Sequence, residues 1–132
     1  MKGKKTIRFS LILLFAASVL MFVQVSCRHD GLNVANLDTV CYEKEIAPIF
    51  LNSCGTTGCH DSQKGEAGYS FTNYAGVMKA VTPSDAQKSI AYKAITGKGF
   101  IQLMPPAGAL TEKERILIRV WIDQGAVQTT CN

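Results

Sequence analysis

One short motif constrains this chain more than any other feature: two cysteines and a histidine lie within residues 54–60, in the order CGTTGCH. A thiol can add across a vinyl group of haem to form a thioether, and a histidine directly after the second cysteine is placed to bind the iron. A fold that contains this motif must be built around a large flat group bonded to one loop. The motif therefore predicts one covalent haem c, attached through Cys54 and Cys59 and ligated by His60.

Four residues separate the two cysteines, whereas the usual haem-attachment motif has two. The extra residues must loop out, and we expect Gly55 and Gly58 to adopt the backbone dihedrals that this loop requires, because glycine has no Cβ atom. A different interpretation is that Cys54, Cys59 and His60 bind zinc. A structural zinc site has four ligands, so His29 or another cysteine would have to complete it.

The first residues predict a signal peptide over 1–26. An apolar run over 11–25 follows four basic residues and leads to a small residue, Ser26, and then Cys27. The basic residues are Lys2, Lys4, Lys5 and Arg8. This order is typical of export signals, and the run is shorter than the roughly 20 residues that span a bilayer as a helix. An uncleaved anchor remains the alternative.

Serine followed by cysteine at the end of the apolar run resembles a bacterial lipoprotein signal. The resemblance implies that Cys27 becomes the lipidated first residue of the mature chain. We therefore expect an exported protein of the periplasm or outer cell envelope that is held at the membrane by a lipid anchor. The alternative is an ordinary secretory signal followed by a stray thiol at Cys27.

Charge gives little reason to expect a polyanionic partner. The chain has 14 Lys and Arg against 10 Asp and Glu, but four of the basic residues and none of the acidic ones precede Cys27. The remainder is balanced, so we expect no binding to nucleic acid. Residues 27–39 are polar and aperiodic, which predicts a tether, and we place one domain over 40–132.

The first predicted helix covers residues 43–53. Ile46, Ile49 and Phe50 recur at a spacing of three and four, which places them on one helical face. Pro48 lies inside this pattern, where a proline removes a hydrogen bond and clashes with the preceding turn. Either the first turn is separate, or the helix proper begins near 46–48, where proline is tolerated.

The middle of the chain carries weaker helical signals. Short helical turns are predicted near 74–80, and a second helix over 87–96 ends at Gly97, a common stop residue. The apolar stripe predicted for that helix consists of Ile90, Ala94 and Ile95. Residues 99–110 are rich in proline and glycine, which predicts a loop without a helix.

The last predicted helix has the clearest boundaries. Thr111 is followed three residues later by Glu114, which predicts a capping box, and Gly125 stands where a helix should end. Its apolar residues are Leu117, Val120 and Trp121 on one face, with Ile118 and Ile122 beside them. Such a face has to pack against another element, and we expect Trp121 to belong to the core. No strand signal of comparable strength occurs, so the predicted class is all-α.

Several motifs in order resemble the class I cytochrome c domains of exported bacterial proteins, in particular the planctomycete-type group. These motifs are EIAPIF at 45–50, CGTTGCH at 54–60, MPP at 104–106, LT at 110–111 and WIDQGA at 121–126. The resemblance covers about residues 40–126. It implies a small fold of three to four helices in which the first and last helices cross and one haem lies in the middle with an exposed edge.

The resemblance also implies the axial ligands, with His60 proximal and Met104 distal. A thioether is a soft, neutral ligand that raises the potential of haem iron relative to two imidazoles. The alternative for Met104 is an ordinary core side chain, and Met78 is a minor contender as ligand. His29 lies in the predicted tether, where a solvated side chain is expected.

If the first and last helices cross as the resemblance implies, Cys41 and Cys131 are neighbours and can form a disulfide. The alternative is two unpaired thiols.

The expected function is electron transfer without catalysis, because two filled axial positions leave no open site for a substrate. Redox proteins are the expected partners, although nothing in the sequence identifies them. One alternative is a haem enzyme, such as a peroxidase, or a gas-binding protein with a labile sixth ligand. Another is a binding module without haem that zinc or disulfides hold together.

Overall fold

Four short α-helices separated by long turns make up the part of the chain that this computed structural model describes, which is residues 34, 37–63 and 65–131. The helices are α1 (Ala47–Ser53), α2 (Tyr74–Met78), α3 (Ile90–Thr96) and α4 (Glu112–Asp123). A π-helical turn (Tyr42–Ile46) precedes α1, and a 3₁₀ turn (Glu66–Gly68) precedes α2. These residues contain no β-strand, which confirms the predicted all-α class.

The predicted signal peptide, most of the predicted tether, the lipidation site Cys27 and His29 lie outside the described residues. Within residues 34, 37–63 and 65–131, no helix combines the length and the apolar character needed to cross a membrane.

The structure resolves the question that Pro48 raises in the first helix. The π-helical turn comes first, and the N–H of Ala47 bonds to the carbonyl of Tyr42 where that turn becomes α1. Pro48 then occupies the first turn of α1, where a missing N–H costs little. Ile46, Ile49 and Phe50 are all buried, as their spacing predicts.

Helix α4 begins and ends where the sequence predicts. The N–H of Thr111 donates to Glu114 Oε2 at 2.8 Å, and the N–H of Glu114 donates back to Thr111 Oγ1 at 3.3 Å, which completes the capping box. Gly125 follows the helix with a φ of +102°, a conformation that favours glycine. Trp121 is almost fully buried.

Helix α3 ends at Gly97 as predicted, but its apolar stripe is only partly correct. Ile95 is buried, whereas Ile90 is 43% exposed, and the other buried residues of the helix are Ala91 and Tyr92. The reason is that α3 has two apolar faces. One packs on the core, and the other, which includes Ile90, faces a cavity.

The two ends of the domain are neighbours, as the resemblance implies. The rings of Tyr42 and Trp121 lie 5.4 Å apart, which places the start of the first helical segment against α4. The N–H of Tyr42 donates to Thr129 Oγ1 at 2.9 Å. Cys41 and Cys131 are joined by a disulfide, with their Cα atoms 6.1 Å apart.

The polar residues after Trp121 fasten other segments to α4. Gln124 Oε1 accepts from the N–H of Val40 at 2.9 Å, and Gln124 Nε2 donates to the carbonyl of Asp38 at 3.0 Å. Asp123 Oδ1 accepts from the N–H of Ala86 at 2.9 Å. The WIDQGA motif therefore ties the segments at 38–40 and at 86 to the end of α4.

Candidate haem site

A cavity of about 450 Å³ lies between α1, α3, the CGTTGCH loop and the loop at 101–106. Most of its walls are aliphatic and aromatic side chains, and its size is typical of a site for a small molecule or cofactor. All four residues predicted to hold the haem line this cavity: Cys54, Cys59, His60 and Met104. The structure thus brings together side chains that are as many as 50 residues apart in sequence.

Local hydrogen bonds shape the CGTTGCH loop. The N–H of His60 donates to the carbonyl of Cys54 at 3.1 Å, and the N–H of Cys59 donates to Thr56 at 3.0 Å, so that the loop closes in a turn. Gly58 has a φ of +83°, which agrees with the predicted need for glycine.

The expectation that Gly55 adopts unusual backbone dihedrals is wrong, because its φ is not in the left-handed region. Glycine is needed there for space instead. A Cβ atom on Gly55 would lie 3.0 Å from the carbonyl oxygen of Phe71. A larger residue at this position would therefore push against the backbone of Phe71, which would have to shift by a few tenths of an ångström.

The imidazole of His60 is held in one tautomer. Its Nδ1 lies 2.9 Å from the carbonyl oxygen of Glu66 and 3.2 Å from that of Tyr69. Carbonyl oxygens only accept hydrogen bonds, so Nδ1 carries a proton, and in the neutral ring the lone pair is then on Nε2. This is the arrangement that a histidine needs to bind a metal through Nε2. The ring also packs against Phe71, with centroids 4.8 Å apart.

The carbonyls that fix His60 come from a strained turn, which the sequence analysis did not identify. Gly65, Ala67 and Gly68 all have positive φ, and Ala67, at +55°, is the one that carries a side chain. Two glycines close together were the available signal. The turn is needed because it directs two carbonyls at one ring nitrogen.

The two cysteines of the loop differ in environment. Cys54 is 8% exposed and Cys59 is exposed, and neither takes part in a disulfide. Burial, together with the nearby Cys59 and Glu114, raises the pKa of the Cys54 thiol to about 11. Cys54 is therefore not the low-pKa thiolate that marks a catalytic redox dithiol.

Met104 enters the cavity from a loop that is tied to α3. Its N–H donates to the carbonyl of Ala94 at 2.9 Å, and its side chain is half-buried. Met78, the minor contender, packs against the hydrophobic core and is not among the cavity-lining residues. The residues present fit a haem: two thiols, an imidazole with a free Nε2 and a thioether surround an apolar space.

The structure gives less support to the alternative that this loop binds zinc. Within the described part of the chain, no group of three or more His, Cys, Asp or Glu side chains is arranged to hold a metal ion. Cys54, Cys59 and His60 therefore do not form such a cluster.

Comparison with known proteins agrees with these features. Residues 57–108 match a family model described as Planctomycete cytochrome C. The matched segment contains Cys59, His60 and Met104, whereas Cys54, α1 and α4 lie outside it. Searches among curated proteins and among solved structures find no match. This match confirms the resemblance predicted from the motifs: over residues 57–108 the chain is similar to the planctomycete cytochrome c family.

Proposed function

We propose that this protein transfers single electrons through one covalent haem c, which is attached to Cys54 and Cys59 and has His60 and Met104 as its axial ligands. The observation that carries the proposal is that these four side chains line one apolar cavity. The family match supports haem binding. When bound, the haem supplies an iron that cycles between two oxidation states.

The protein's own residues set the conditions for that cycle. His60 presents Nε2 because two carbonyls hold its Nδ1 proton and so fix the orientation of the ring. Met104 presents a soft sulfur, which favours the reduced iron. The apolar side chains around the cavity limit water, and this also raises the potential.

We further propose that the domain is exported, that Cys27 carries a lipid anchor, and that the partners are redox proteins. The motivation is the order of basic residues, apolar run and Ser26-Cys27 in the leader. Labelling cells with a radioactive fatty acid tests the anchor. The parent chain should take up label, and Cys27→Ala should not. Equal labelling of both chains would contradict the proposed anchor.

The central experiment is haem staining of a denaturing gel after expression in a host with cytochrome c maturation. Only covalent haem survives denaturation, so the parent chain should stain and should carry the added mass of haem. A Cys54→Ala/Cys59→Ala variant should stay colourless. The control is Cys41→Ser/Cys131→Ser, which removes two cysteines outside the loop and should still stain. A parent chain of unmodified mass would refute the proposal.

A further inference from the structure

Asp61, the residue directly after His60, holds the CGTTGCH loop in place through two hydrogen bonds, and these two bonds are called the brace. Asp61 Oδ2 accepts a hydrogen bond from the N–H of Gly58 at 2.8 Å, and Asp61 Oδ1 accepts from the N–H of Gln63 at 2.8 Å. Both oxygens of one carboxylate thus accept hydrogen bonds from backbone amides, one before Cys59 and one after His60. Hydrogen bonds to a charged acceptor are about twice as strong as neutral ones.

This brace acts at the place where the loop is least constrained. Gly58 lies between the two cysteines, it has a φ of +83°, and no heavy atom lies within 4 Å of the position where its Cβ would be. A glycine of this kind has wide backbone freedom, so its amide direction has to be fixed by a partner. Asp61 supplies that partner, and the longer spacing between the cysteines makes the need greater.

We propose that Asp61 is a positioning residue for haem attachment, which holds the loop so that the thiols of Cys54 and Cys59 both reach a vinyl group. The proposal rests on the proposed function. In each attachment a thiol adds across a vinyl double bond: an S–C bond and a C–H bond form, while the S–H bond and the vinyl π bond are consumed. No electrons are gained or lost overall, and no group leaves.

The test compares the number of thioethers in haem-bearing protein from the parent, Asp61→Ala and Asp61→Asn. A matched control is Asp85→Ala. Asp85 also accepts from a backbone amide three residues away, that of Lys88 at 3.0 Å, but it does not line the cavity. Peptide mass spectrometry with thiol alkylation counts the chains in which one cysteine is left free. The haem spectrum in alkaline pyridine gives a second readout, because an unreacted vinyl group shifts its visible band to longer wavelength.

We expect Asp61→Ala to show a several-fold rise in haem bound through one cysteine, with the matching spectral shift. Asp61→Asn keeps one acceptor oxygen, so its fraction of haem bound through one cysteine should lie between those of Asp61→Ala and the parent. Asp85→Ala should match the parent. If Asp61→Ala carries two thioethers as often as the parent does, the proposal is wrong. A parent without covalent haem would instead refute the proposed function itself, and this assignment with it.

Discussion

At the scale of single residues, His60 has the most fully defined surroundings in the site. Two carbonyls fix its Nδ1, and the phenyl ring of Phe71 packs against it at an angle of 50°, so the imidazole has little freedom to turn. The turn that supplies the carbonyls is strained at Ala67, whose φ of +55° is unfavourable for a residue with a side chain. Backbone strain here serves to orient the imidazole of His60.

Replacing Ala67 with glycine should raise stability. A left-handed residue other than glycine costs about 1–2 kcal/mol, and the extra backbone freedom of glycine costs about 0.4–1 kcal/mol. The net gain expected is therefore about 0.5–1 kcal/mol, measured by urea unfolding of the haem-loaded protein. Ala107, whose φ is not positive, gives the control: Ala107→Gly should not stabilise. A loss of stability in Ala67→Gly would show that this turn is not strained.

Met104→Ala should abolish the near-infrared charge-transfer band that ferric haem shows with a methionine sulfur ligand, and should lower the potential, because the soft ligand is lost. Met78→Ala is the matched control, since Met78 packs on the core outside the cavity, and it should keep the band. A parent protein that is high-spin in the ferric state would argue instead for the enzyme or gas-binding alternative.

At the scale of elements, α4 organises the fold through its two ends. Its capping box sets the first turn, and the residues at its far end fasten the segments at 38–40 and 86. The helix also carries Trp121, whose indole Nε1 donates to the carbonyl of Val127 at 3.0 Å. The same helix therefore joins the beginning, middle and end of the domain.

Removing the cap should weaken the whole domain, because α4 contacts both the first helical segment and α3. Thr111→Ala is expected to cost about 1 kcal/mol of stability, measured as a lower urea midpoint with an unchanged slope. Thr130→Ala removes a similar hydroxyl from an exposed position outside any helix and should be near neutral. Equal losses in the two variants would contradict a specific role for the cap.

At the scale of the whole molecule, the Cys41–Cys131 disulfide joins the two ends of the domain, and neither of its cysteines lines the cavity. The domain has a hydrophobic core that includes Phe50, Phe71 and Trp121. Phe50 and Phe71 also line the cavity, so core and site share side chains. Packing around a haem would then contribute to the stability of the domain itself.

The disulfide spans 90 residues of sequence, and in the chain-entropy model a link of that length contributes about 4–5 kcal/mol. The Cys41→Ser/Cys131→Ser variant should therefore lose much of its stability, roughly 2–5 kcal/mol, while it retains covalent haem. Urea unfolding followed by the absorbance of the haem measures the stability and also shows that the haem is retained. An unchanged midpoint would mean that the ends are held by their hydrogen bonds alone.

Loss of the haem should be more damaging than loss of the disulfide. The Cys54→Ala/Cys59→Ala variant, which can form no thioether, is expected to be a largely disordered chain that proteases cut rapidly, because apolar walls of the cavity would face water. Limited proteolysis and the unfolding transition report this. A variant that still unfolds cooperatively near the midpoint of the parent would contradict this dependence.

The sequence predicted the elements well where the signal is local. The capping box at Thr111 and the stop at Gly97 each depend on a few neighbouring residues, and both are present. The exposure of Ile90 was missed because only the tertiary arrangement decides which face of α3 meets the core. The carbonyls that hold His60 were missed because two nearby glycines indicate a turn but do not indicate where its carbonyls point.

The described cysteines form two pairs that differ in oxidation state. Cys41 and Cys131 are oxidised to a disulfide, whereas under the proposed function Cys54 and Cys59 have to stay reduced until each forms its bond to the porphyrin. A compartment that favours disulfides helps the first pair and endangers the second. We therefore expect the timing of maturation to matter: a cell that makes this protein must deliver reductant to one loop while the chain termini are being cross-linked.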